Sequence, residues 1–243
     1  MASQSEVGHA RNVANLQKLI QQITAYTLYN PPVPALQIAN LQTLHTNSVA
    51  KLAELEDSRI ANKAAIYNRQ VAFENLKPLS TRIFNFLEII DLPAGMLEQA
   101  RSLNRIIQGY TPKTQQPENP NPDGEPKDTV STSRQSYTQQ AETFGNLVSL
   151  LQTIPAYTPN EDDLKLPAIT TYHQALVSAT QPVDQTEAEL KVQLIARDQL
   201  LYAEGTGLID LAQKVKKYVK SIYGGDSPEY TNVASIKFTD PTR

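Results

Sequence analysis

A shift of 128 residues lays the second half of this chain on the first without a gap over a long stretch, and that internal match limits the possible folds more than composition does. Tyr29 falls on Tyr157, Pro31 on Pro159, Leu36 on Leu164, Thr43 on Thr171, His45 on His173, Val49 on Val177, Lys63 on Lys191 and Arg69 on Arg197. Apolar character is kept at Leu16/Phe144, Leu19/Leu147, Ile20/Val148, Ile23/Leu151, Ile38/Leu166, Leu41/Ile169 and Ile66/Leu194. Identities, apolar period and a Tyr-x-Pro break held in one register point to a duplicated unit. The period is too long for a solenoid tile of ~20 to 50 residues, so each copy is expected to be a small bundle.

Within the first copy, Leu16, Leu19, Ile20 and Ile23 follow the three-and-four spacing of an amphipathic helix, predicted over residues 7–26 and ended by Tyr29-Asn30-Pro31-Pro32. A second stripe of Ile38, Leu41, Leu44, His45, Leu52 and Leu55 begins after Pro34, and neither Gly nor Pro interrupts it before Pro78. Unbroken, that helix would be roughly 65 Å long at 1.5 Å per residue, which predicts a break near Glu56-Asp57-Ser58. Gln181-Pro182 in the second copy supports a break at the corresponding place, with Asp184 or Thr186 as a cap. Four helices per copy are expected. The last two run over residues 79–90 and 93–108 in the first copy, and over 185–203 and 208–222 in the second.

The expected architecture is therefore all-α: a first helical bundle in residues 1–110, a Pro-rich linker in 111–130, a second bundle in 131–226 and an extended C-terminal arm in 227–243. The linker, TPKTQQPENPNPDGEPKDTV, has no apolar residue before Val130 and reads as a semi-stiff spacer; Pro117 and Pro120 also give it the spacing of an SH3-type ligand. The arm carries Tyr230, Val233, Ile236 and Phe238, an apolar load that calls for docking, either across its own helices or on a neighbouring subunit.

Charge and composition narrow the function classes. With 22 Lys+Arg against 25 Asp+Glu, the chain lacks the basic excess that drives nucleic-acid binding. It has no cysteine, which excludes disulfides, thiolate metal sites and thiol catalysis. No signal-peptide pattern and no run of ~18 apolar residues is present, so a cytoplasmic protein without a transmembrane segment is expected. In its Tyr-x-Pro break, its duplicated unit and its ending KSIYGGDSPEYTNVASIKF, the chain resembles a group of uncharacterised bacterial two-repeat all-helical proteins of unknown function. The resemblance covers most of the chain and implies the fold alone.

Chemistry-bearing motifs are few. Three histidines without ExxH or HExxH spacing do not supply a metal centre, no Gly-rich phosphate loop occurs, and no serine lies in GxSxG or SxxK. No catalytic residue, cofactor or metal is therefore assigned. Glu161-Asp162-Asp163 precedes a predicted helix and complements its N-terminal dipole, with a cation site as the alternative. His45 and His173 repeat on apolar faces as partly buried histidines or a ligand site; Arg69 and Arg197 flank the core as clamps on the carbonyls of the Tyr-x-Pro turns of Tyr29 and Tyr157, or as an anion site. Lys214, Lys216, Lys217 and Lys220 form a basic last turn suited to a helix C-terminus, or to a phosphate or membrane surface. The functional expectation is a non-catalytic structural or interaction protein whose partner is itself or another protein, self-assembling through its arm. The alternatives are a carrier of a small apolar or anionic ligand and an enzyme whose site carries no recognised motif.

Overall fold

The computed structural model describes residues 4–110 and 136–240, and among them every regular element is helical. The helices are α1 (Gln4–Thr24), α2 (Ile38–Glu74), α3 (Leu76–Ile89), α4 (Ala94–Gln108), α5 (Tyr137–Gln152), α6 (Leu166–Tyr202), α7 (Leu208–Tyr223) and α8 (Pro228–Ser235). Single 3-10 turns at Pro34–Leu36 and Asp162–Leu164 precede α2 and α6. The linker expected at residues 111–130 lies outside the described residues.

Neither expected break in the long helices occurs. At Ser58 the hydroxyl donates to the Glu54 carbonyl at 3.0 Å, bonding back within α2 instead of capping a new helix. Pro182 sits inside α6, which runs through it to Tyr202. The two helices are 37 residues each, and both their starts and their ends are 128 residues apart. Residues 185–203, expected as a separate helix, thus belong almost wholly to α6.

The compact units also differ from the expected bundles of residues 1–110 and 131–226. One unit comprises Met1–Asn62 with Thr186–Arg243, and the other Lys63–Gln185. Because α2 and α6 do not break and turn back, each carries its chain out of the unit in which it began. Each unit therefore combines segments from both halves of the chain: α1 with α7 and α8 in one, α3 and α4 with α5 in the other.

In the first unit, Leu16, Leu19, Ile20 and Ile23 of α1 pack with Leu208, Leu211, Ala212, Val215 and Val219 of α7, together with Leu201 and Val233. In the second, Phe144, Leu147, Val148 and Leu151 of α5 pack with Leu76, Leu79, Ile83 and Leu87 of α3, and with Ala100 and Ile107 of α4. Each such large apolar side chain contributes about 1.5–3 kcal/mol on full burial, before ordering costs. The α7 residues follow their α3 counterparts by 132 positions, as in Leu76/Leu208 and Ile83/Val215. The extra four come from the junctions: Asn75 alone separates α2 from α3, whereas residues 203–207 separate α6 from α7.

The first part of the arm, Pro228–Ser235, is helical where an extended arm was expected, and residues 236–240 after it are not helical. Ser227 caps α8 by accepting the Tyr230 N–H, and Pro228 occupies its first turn.

Candidate functional site

Tyr29 and Tyr157 occupy matching places in different units. The buried Tyr29 hydroxyl donates to the Leu36 carbonyl at 2.7 Å, and that of Tyr157 to the Leu164 carbonyl at 2.8 Å, each tying the Tyr-x-Pro turn to the 3-10 turn seven residues on. Tyr29 meets the Tyr218 ring edge-on at 5.4 Å between centroids, and Tyr157 meets Phe86 at 5.3 Å. Burial pushes both phenols well above their ordinary range. Both act as hydrogen-bond donors to main-chain carbonyls.

His45 and His173 are both half-buried. The His173 ring lies against α5 at Gly145, where an added Cβ would come within 2.7 Å of Nε2, and its centroid is 6.4 Å from that of Phe144. Arg69 does not clamp a Tyr-x-Pro turn. It lays its guanidinium over Tyr137, 4.3 Å from the ring centroid, and its buried Nε has no hydrogen-bond partner. Arg197 is buried and donates to Asp198 Oδ1 from Nε at 2.9 Å and from Nη2 at 2.7 Å. The candidates pair by copy in sequence but not in space: Tyr29 and His45 share a unit with Arg197, and Tyr157 and His173 share one with Arg69.

Glu161 precedes a single 3-10 turn that itself begins with Asp162 and Asp163, and two of the three carboxylates are engaged. Asp162 pairs with Lys165, and Asp163 faces Arg82, whose hydrogen bond holds the carboxyl below its ordinary range. The lysines of α7 do not form one basic face. Lys214 donates to the Gly205 carbonyl at 2.6 Å, Lys220 lies over Tyr230 at 5.3 Å, and Lys216 is only 8% exposed. Lys217 is exposed.

The most elaborate polar arrangement holds the arm, and most of its residues were not singled out in the sequence. Asn12 is 1% exposed; its amide donates to the Thr239 carbonyl at 2.7 Å, and its carbonyl accepts the Thr239 N–H at 3.0 Å. Asn15 donates to the Lys237 carbonyl at 2.7 Å, and the Lys216 ammonium donates to the Ile236 carbonyl. Lys216 also sits 5.1 Å from the Phe238 ring, and desolvation, with Lys237 nearby, lowers its pKa. Tyr26 donates to the Glu229 carbonyl at 3.0 Å. Val233 is buried, while Tyr230, Ile236 and Phe238 pack half-buried on the same core. His9, buried beside Asn12, shares a short hydrogen bond with the Tyr202 hydroxyl. A sequence signal existed for Asn12, four residues before Leu16 on the α1 stripe, and for Lys216, four after Ala212 on that of α7.

An open depression of about 560 Å³ in the first unit is lined by polar and small side chains, among them Asn47, Lys51, Glu54, Gln199 and Thr206. Among the described residues, no group of three His, Asp or Glu is placed to hold a metal ion, and no helix is long and apolar enough to cross a membrane. The chain matches no family model, no curated protein and no solved structure.

Proposed function

We propose that this chain is a non-catalytic structural or interaction protein, arisen by internal duplication, that associates with further copies of itself. The observation that carries the reading is an exposed apolar register repeated on both long helices. Val49 and Val177 are 48% and 52% exposed, and Tyr67 and Ile195, 18 positions further along the same helices, are 65% and 59% exposed. Eighteen residues make five helical turns at 3.6 residues per turn, so each pair lies on one face of its helix. Apolar side chains held in water at corresponding positions suit a contact made twice per chain. The duplication is supported by the matched ends of α2 and α6 and by the equivalent hydrogen bonds of Tyr29 and Tyr157. In this reading residues 111–130 are a connecting spacer.

Light scattering over a range of concentrations tests the proposal. A mass above that of one chain is expected, falling toward it in a Val49→Lys, Val177→Lys variant. A wild type that stays monomeric throughout overturns self-association. A carrier role is the second reading, favoured by the depression beside Lys51. Native mass spectrometry of the purified protein would reveal a retained small molecule.

A further inference from the structure

The segment after α8 is held as a bound peptide is held. Asn12, Asn15 and Lys216 contact it through main-chain atoms of Ile236, Lys237 and Thr239, and the Asn12 amide reads both the N–H and the C=O of one residue. Such contacts recognise an extended backbone, while Val233, Ile236 and Phe238 supply apolar anchors. The groove between α1 and α7 is therefore a peptide-binding groove occupied by a segment of its own chain.

The connection to that segment is short and depends on a glycine conformation. Only Gly224, Gly225 and Asp226 separate α7 from the Ser227 cap. Gly224 has φ 94 and ψ 161, a conformation almost restricted to glycine. Short hinges favour exchange of the element they tether, because a small change of backbone angle redirects it to a neighbouring copy and every docking contact re-forms between copies. We propose that residues 227–240 exchange between two copies of this chain, the arm of each filling the α1–α7 groove of the other. This rests on the self-association reading and adds to it a contact distinct from the exposed faces of Val49 and Val177.

The chain has no cysteine, so introduced ones can be labelled selectively. Lys18 on α1 and Lys237 in the arm are both exposed. A donor is placed on a Lys18→Cys chain and an acceptor on a Lys237→Cys chain, and the two are refolded together from urea at high concentration. The expected result is a dimer whose energy transfer between copies matches that within one chain carrying both labels. Gly224→Ala, which strains only the closed hinge, raises the association constant at least about fivefold. Dimers without that transfer overturn arm exchange and leave self-association standing. A monomer in both wild type and Gly224→Ala, folded by circular dichroism, overturns both.

Discussion

At Gly145 the absence of a methyl group sets how closely His173 approaches α5. In an unconstrained helix, glycine to alanine gains roughly 0.5–1 kcal/mol. Here the new Cβ would meet the imidazole at 2.7 Å. Gly145→Ala is therefore expected to destabilise the protein by about 1–3 kcal/mol, through overpacking that outweighs propensity. In a His173→Ala background the same substitution is expected to stabilise. Urea unfolding of the four variants in a double-mutant cycle checks the reversal of sign. The inward placement of His173 was legible from its spacing after Ile169 and Leu166, but its partner was not. A helical glycine in isolation reads as a weak helix former, and only the opposing ring shows why it is there. For Arg69 a carbonyl acceptor was expected, and its guanidinium instead lies over the face of Tyr137.

Among the elements, α6 tolerates a proline that should end it. Pro182 supplies no N–H to the helix, and its ring crowds the preceding turn. The helix persists because its residues on either side are anchored: Leu176 and Val183 are buried, and the Thr180 hydroxyl bonds back to the Leu176 carbonyl at 3.2 Å. Pro182→Ala is expected to raise stability by about 1–3 kcal/mol with no change in helical content, read by thermal melting followed by circular dichroism. The proline and the Glu56-Asp57-Ser58 cluster were genuine local signals, overridden by long apolar stripes that continue on both sides. Starts and stops with stronger chemistry were legible: Pro93 and Gly109 bound α4, with Gly109 in the left-handed region at φ 93. Helix α8 was missed, although Ser227-Pro228 is a good start signal, because eight residues give little periodicity to read.

For the whole molecule, periodicity identified which faces are apolar but not which faces meet. The stripe of α1 packs on α7, and the choice of that partner depends on whether α2 turns back. Nothing local in the sequence encodes that choice. Both units share a dependence on buried phenols, which sets their response to alkali. Tyr29 and Tyr157 are shifted upward by burial, and Tyr172, which donates to the Ala72 carbonyl at 2.8 Å, is pushed up to about 12. The unfolded chain releases these protons first, near the ordinary phenol value of about 10. Their stabilising contribution is complete below that pH and is lost as pH rises through the folded values. Lys216 works in the opposite sense: its folded pKa is lowered, so its cost to stability fades as pH rises toward the ordinary lysine range. With Tyr26 and Tyr202 also raised by burial, five phenols against one ammonium predict a net fall in melting temperature above about pH 10, accompanied by delayed appearance of tyrosinate absorbance.

The unit that draws on both Met1–Asn62 and Thr186–Arg243 has a consequence during synthesis. The unit spanning Lys63–Gln185 is contiguous and can close while translation continues. Helix α1, although made early, must wait for Leu201 and the whole of α7 before Leu16, Leu19, Ile20 and Ile23 find their partners. At about 5–20 residues per second, the interval between Ile23 and Leu201 is roughly 10 to 35 s. For that time the nascent chain displays a greasy amphipathic helix beside the ribosome, a natural substrate for chaperones, until α7 emerges to cover it.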